Sequence, residues 1–327
     1  MNLRKNFLVT GFVLSALISD LFNPGITYSQ TDKSEPASIE KQQGLHVICN
    51  VSYIISVPGD TRWIRLVALT PESVPDIQKI NSVEYSLKPL RYFRFNGYQY
   101  AEFMIYNPER VEKLEVKVNA ELYRYDLQTA MQDKKKNQLQ ETGLGEFLKE
   151  EKYIEKDDPK IRSIAEDITG ASEVEIVKNI YNYVLDNMEY LVQGKRDLGA
   201  VNALRYKKGD CSEYSDLFAA ICRAKNIPAR VVTGFSVQPD TKTAKHNWVE
   251  VYFTKYGWVP FDPSKGDIGI AALKDSRFNV LEPRYVYYSH LRNDDVLHGY
   301  HYCSFTYFGD PVSVTDSVRF EFPRSSK

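Results

Sequence analysis

The chain has 327 residues, 43% hydrophobic and 26% charged, which is enough to bury one or two ordinary cores. A formal net charge of −1 gives no bulk attraction to nucleic acid or to an anionic membrane, which leaves small molecules and other proteins as partners. Four cysteines are too few for a disulfide-built scaffold, so packing must supply the core.

Residues 1–29 read as a signal peptide. Arg4 and Lys5 precede the apolar run from Phe7 to Ile18, and Asp20 interrupts it short of the roughly 20 apolar residues that a span needs. Export with cleavage near Ser29 is expected, into the periplasm or the medium, with no stable membrane insertion of the mature chain. Residues 30–44 are polar and aperiodic, as in a flexible leader.

From residue 45 the period is two. Val47, Cys49, Val51, Tyr53, Ile55 and Val57 alternate with a more polar set, and Asn96-Gly97 between aromatic runs is a two-residue hairpin signal. Residues 45–128 are therefore expected to form an antiparallel β-sandwich, and the charged stretch 129–150 a partly helical linker. Helical spacing follows. Asp158 and Pro159 start one helix, and Ser172 with Glu175 starts another whose apolar stripe includes Val177, Ile180, Tyr181 and Val184.

The stretch GDCSEYSDLFAAICRAKNIPARVVTGF, residues 209–235, puts Cys211 at the start of a third helix, with Cys222 on its core face. A helix amino terminus favours an anion, so a thiol placed there ionises more readily and becomes the better nucleophile. Its proton partner lies further on, in a strand, turn and strand that begin at His246 and end at Asp262. The two side chains share a face only if the turn has odd length. A three-residue loop closed by Gly257 in the left-handed region meets that condition and makes them diagonal neighbours. Trp248 shares this face, as a cleft wall or as core. No disulfide is expected among Cys49, Cys222 and Cys303. His290, His298 and His301 match no compact zinc spacing, so no metal is assigned.

The three segments GDCSEYSDLFAAICRAKNIPARVVTGF, HNWVEVYF and GWVPFDPS resemble the transglutaminase-like superfamily, over roughly Asp157 to Asp267. The resemblance implies an α+β protein in which the sandwich precedes a papain-like transglutaminase core at 151–327 that carries a C-terminal extension. It implies Cys211 as nucleophile, His246 as general base and acid, Asp262 as the group that orients His246, and no cofactor. The substrate class it implies is a peptide or protein amide, cell-wall peptide included, attacked through a thioester. No long insertion between Val237 and His246 supplies a lid, so hydrolysis is expected over transfer to an amine. The alternative is a catalytically silent member that keeps the fold and only binds.

Overall fold

The computed structural model describes residues 44–132, 142–192, 197–238, 244–267 and 271–323. The expected signal peptide, the leader up to residue 43 and the middle of the expected linker lie outside these residues, as do positions 239–243 of the stretch examined for a lid.

Alternation sets the first strands. In β1 (Leu45–Ser56) the side chains of Val47, Cys49, Val51, Tyr53 and Ile55 are buried, and their neighbours face outward. It is followed by β2 (Thr61–Thr70), β3 (Gln78–Tyr85), β4 (Arg91–Phe95), β5 (Tyr98–Tyr106) and β6 (Val111–Leu122). Asn96 and Gly97, with φ of 47° and 84°, join β4 to β5 as the hairpin signal requires.

A short β7 (Tyr125–Asp126) and α1 (Leu127–Gln132) lead away from these strands. Then come α2 (Pro159–Asp167), α3 (Glu173–Asn187), β8 (Glu189–Tyr190), α4 (Ala200–Tyr206), β9 (Lys208–Gly209) and α5 (Cys211–Ala224). Asp158 caps α2 by accepting from the backbone N–H groups of Lys160 and Ile161, and Ser172 caps α3 by accepting from that of Glu175. The chain continues through β10 (Ala229–Ser236), β11 (Lys245–Phe253), β12 (Gly257–Phe261), α6 (Pro263–Gly266), α7 (Ala271–Asn279), β13 (Val280–Leu281) and β14 (Tyr285–Ser289). It ends in β15 (Cys303–Gly309) and β16 (Ser313–Glu321).

Three four-stranded sheets result, in the orders β16-β1-β6-β3, β15-β2-β5-β4 and β12-β11-β10-β14, and every pairing in them is antiparallel. The first two face each other across one core. The sequence places residues 303–321 in the C-terminal extension of the catalytic segment, but they complete the sandwich, β15 beside β2 and β16 beside β1. Alternation marks a strand without naming its partner, and these partners lie more than two hundred residues away.

The third sheet is covered on both faces. Val232, Trp248 and Val249 belong to a core shared with α3 and α5, whereas Phe235, Val286 and Tyr288 pack into the sandwich core. Helix α5 is buried from Ser212 to Arg223. Its second turn is held by Arg292, whose guanidinium donates to both carboxylate oxygens of Asp216, at 2.7 and 2.9 Å, and to Asp197 at 2.9 Å. Among the described residues no helix is long and apolar enough to cross a membrane.

Candidate active site

Cys211 is the first residue of α5, and a capping box fixes that start. The Asp210 carboxylate accepts from the Ser212 N–H at 2.9 Å, and the Glu213 carboxylate accepts from the Asp210 N–H at 3.0 Å. Glu213 also accepts from the Leu198 N–H at 2.9 Å, tying the preceding loop to the same turn. The helix is otherwise enclosed, so its first residue is where a side chain emerges.

The hairpin of β11 and β12 has the anticipated geometry. Phe253 pairs with Gly257, whose φ is 74°, across residues 254–256, and Val249 pairs with Phe261. The register puts Trp248 opposite Asp262 and leaves His246 as the diagonal neighbour. His246 Nε2 and Asp262 Oδ2 are 2.6 Å apart, with both side chains about 4% exposed. With Nε2 engaged, Nδ1 is the ring nitrogen left for Cys211, which is within hydrogen-bonding reach of His246.

Burial opposes the charge on His246. The Asp262 carboxylate and a Cys211 thiolate more than offset that, and the imidazole is pushed up to about 10. Burial likewise opposes ionisation of Asp262, yet His246, the Ser264 hydroxyl and the Tyr285 phenol hold it down to about 2. The Asp262 carboxylate is fully occupied: Oδ1 accepts from Ser264 at 2.8 Å and from the Lys265 N–H at 3.0 Å, and Oδ2 accepts from Tyr285 at 2.8 Å. The arrangement sets the Cys211 sulfur beside an imidazole that a buried carboxylate orients.

Trp248 is not a cleft wall. It is fully buried behind His246, at 6.0 Å and nearly parallel to it, with Tyr285 and Tyr287 edge-on at 5.0 and 4.7 Å. Position i+2 on a strand shares a face with His246, but the depth of that face is set by β14, whose pairing the sequence does not reveal.

Three tyrosines escaped the sequence reading. Tyr285 holds Asp262. Tyr302 donates to the Gly234 carbonyl at 2.5 Å and accepts from the His246 backbone N–H, wedging its phenol between β10 and β11. Tyr190 is raised to about 12, first by burial and then by the charge of Cys211. A tyrosine in a strand is ordinary, and only tertiary contact tells these three apart.

All four cysteines are unbridged, and Cys49 and Cys222 are fully buried. Of the histidines considered for a metal, His290 pairs with Glu250 at 3.1 Å and His301 lies 3.8 Å from Asp197. No group of three or more His, Cys, Asp or Glu among the described residues is arranged to hold a metal ion.

Comparison with known proteins agrees with this architecture. An uncharacterised Bacillus subtilis protein, YebA, is 31% identical over 115 residues, which are 31% of this chain and 15% of that protein. An uncharacterised Haemophilus influenzae protein is 25% identical over 231 residues, 56% of this chain and 62% of that one, so the chain spans less than two thirds of either relative. The crystal structure of a candidate cysteine protease from Cytophaga hutchinsonii shares the fold, with a TM-score of 0.60 at 17% identity, covering 87% of this chain and 92% of that one. Residues 162–263 match the family model of the transglutaminase-like superfamily, which spans the helix start bearing Cys211 and the hairpin bearing His246 and Asp262. That segment is a transglutaminase-like domain.

Proposed function

We propose that this chain is an exported thiol hydrolase of peptide or protein amide bonds, with Cys211 as nucleophile, His246 as acid and base, and Asp262 as orienting carboxylate. The observation that supports it most is the buried 2.6 Å contact between His246 and Asp262, formed on the side of the sheet where α5 begins with Cys211. The thiolate attacks the amide carbonyl, the C–N bond breaks, and the proton on His246 Nδ1 passes to the departing amine. Water then attacks the thioester with His246 as base, which releases the acid and restores the thiol. The backbone N–H of Cys211, in the first turn where no intrahelical acceptor exists, is one donor for the oxyanion.

The test is incubation with a glutamine-containing peptide library and a fluorescent primary amine. Carboxylate products that vanish in Cys211→Ala are expected. Mainly amine-linked product would make the chain an acyltransferase, and no product from either acceptor would leave the binding-module alternative.

A further inference from the structure

A cleft of about 960 Å³ is lined by Tyr302, whose phenol accepts from the His246 backbone N–H, and by Asp210 and Lys245, the residues that precede Cys211 and His246 in the chain. That volume lies in the range of ligand-binding clefts. The sandwich contributes to the lining with Tyr53 on β1, Phe305 on β15, and Val314 and Asp316 on β16.

Its polar groups are largely committed to one another. Lys245 pairs with Asp316 at 2.6 Å and lies 5.6 Å over the Tyr302 ring, and Asp197 is held by Arg292. Beside these polar groups, one part of the lining is apolar and aromatic. Tyr300 is 55% exposed, with its ring 6.4 Å from that of Phe305, and Val314 is half-buried in the same cleft. Tilted aromatic rings beside an aliphatic wall suit a planar apolar side chain, which gains contact area and ring–ring geometry together.

We propose that the sandwich supplies half of the substrate site, and that Tyr300, Phe305 and Val314 receive an aromatic side chain of the peptide whose amide lies at Cys211. The assignment rests on the hydrolase reading for its chemistry but not for its binding. The test therefore uses Cys211→Ala protein and fluorescence anisotropy, with fluorescein-labelled Gly/Ser heptapeptides carrying one Phe at each position in turn, and Ala counterparts.

Burial of one such side chain predicts binding about ten- to a hundredfold tighter for one Phe placement than for its Ala partner. Tyr300→Ala, at an exposed position that leaves the fold intact, should remove most of that preference. Phe305→Leu, which keeps the sandwich contacts, should reduce it. In the unsubstituted thiol protein the same preference should appear in KM with kcat retained. Equal binding of every Phe and Ala pair, or discrimination untouched by both substitutions, overturns the proposal. Selective binding without cleavage of any peptide leaves the cleft assignment standing and removes the hydrolase reading. Cleavage without discrimination does the reverse.

Discussion

The side-chain amide of Asn247 donates to the hydroxyl of Ser212 across 3.0 Å, joining the residue after His246 to the residue after Cys211. Its carbonyl oxygen accepts from Thr233 on β10 at 3.1 Å, so one buried side chain ties the start of α5 to two strands. Asn247→Ala leaves two buried hydroxyls without this partner and should lower the unfolding free energy by about 1–3 kcal/mol. Because the tie fixes the spacing of thiol and imidazole, kcat should fall more than KM rises. Urea unfolding and steady-state kinetics check the two parts separately, and a stability loss with unchanged kcat would reduce the tie to a structural one.

Tyr285→Phe removes a single O–H donor from Asp262 while keeping the ring that packs on Trp248 and His246. The carboxylate retains His246, Ser264 and the Lys265 N–H, so it is loosened rather than freed. One such bond corresponds to about a tenfold fall in kcat, with KM unchanged. An equal loss in Tyr285→Leu and Tyr285→Phe would show that packing, not the phenol, matters.

His246 and Asp262 link stability to pH in opposite directions. His246 is raised to about 10, so its contribution is complete below its ordinary value of 6.5 and disappears as pH climbs through about 10. Asp262 is lowered to about 2, so its contribution is complete above 3.8 and lost as pH falls through about 2. Both are fully present only between roughly pH 4 and 6.5, where stability from this pair should plateau. Asp262→Asn removes the carboxylate that raises His246, and the imidazole titration followed by NMR should move downward from about 10. An unmoved titration would mean that Asp262 does not set the charge of His246.

Alkylation should discriminate among the cysteines. Burial pushes the thiols of Cys49 and Cys222 far up and that of Cys303 to about 12, whereas Cys211 is half-buried at a helix start and faces His246. Limiting iodoacetamide at mildly acidic pH is expected to modify Cys211 first. Peptide mass mapping reads the site, and first labelling of another cysteine in folded protein would remove Cys211 as the reactive thiol.

Arg292 has a structural role on α5, through its pair with Asp216. Arg292→Met strands the fully buried Asp216 without its counter-ion and should cost about 3–5 kcal/mol. Pairing it with Asp216→Asn should recover part of that loss in equilibrium unfolding. A double variant no more stable than Arg292→Met alone would show that the stranded Asp216 charge is not what that substitution costs.

What the sequence made legible was local. The caps at Asp158 and Ser172, the Asn96-Gly97 turn and the parity argument through Gly257 each depend on a few neighbouring residues, and each has its counterpart in the fold. What it withheld depends on distant partners. Trp248 cannot be sorted into wall or core until Tyr285 and Tyr287 are known to close over it. The Arg292–Asp216 pair joins positions 76 residues apart, and the Tyr302 wedge requires knowing that the chain passes β10 and β11 on its way back to the sandwich.

That return path imposes a timetable. A growing chain stopped before Cys303 already holds the thiol, the imidazole and the carboxylate, yet β1 and β2 each still lack one neighbour, and the cleft lacks Phe305, Val314 and Asp316. The Cys211, His246 and Asp262 side chains are therefore all in place in the chain before the last residues that line the cleft. The unpaired edges of β1 and β2 keep the half-made protein open to wrong strand pairing until residues 303–321 arrive. Residues 303–321 then pair with those edges and supply the remaining lining of the cleft.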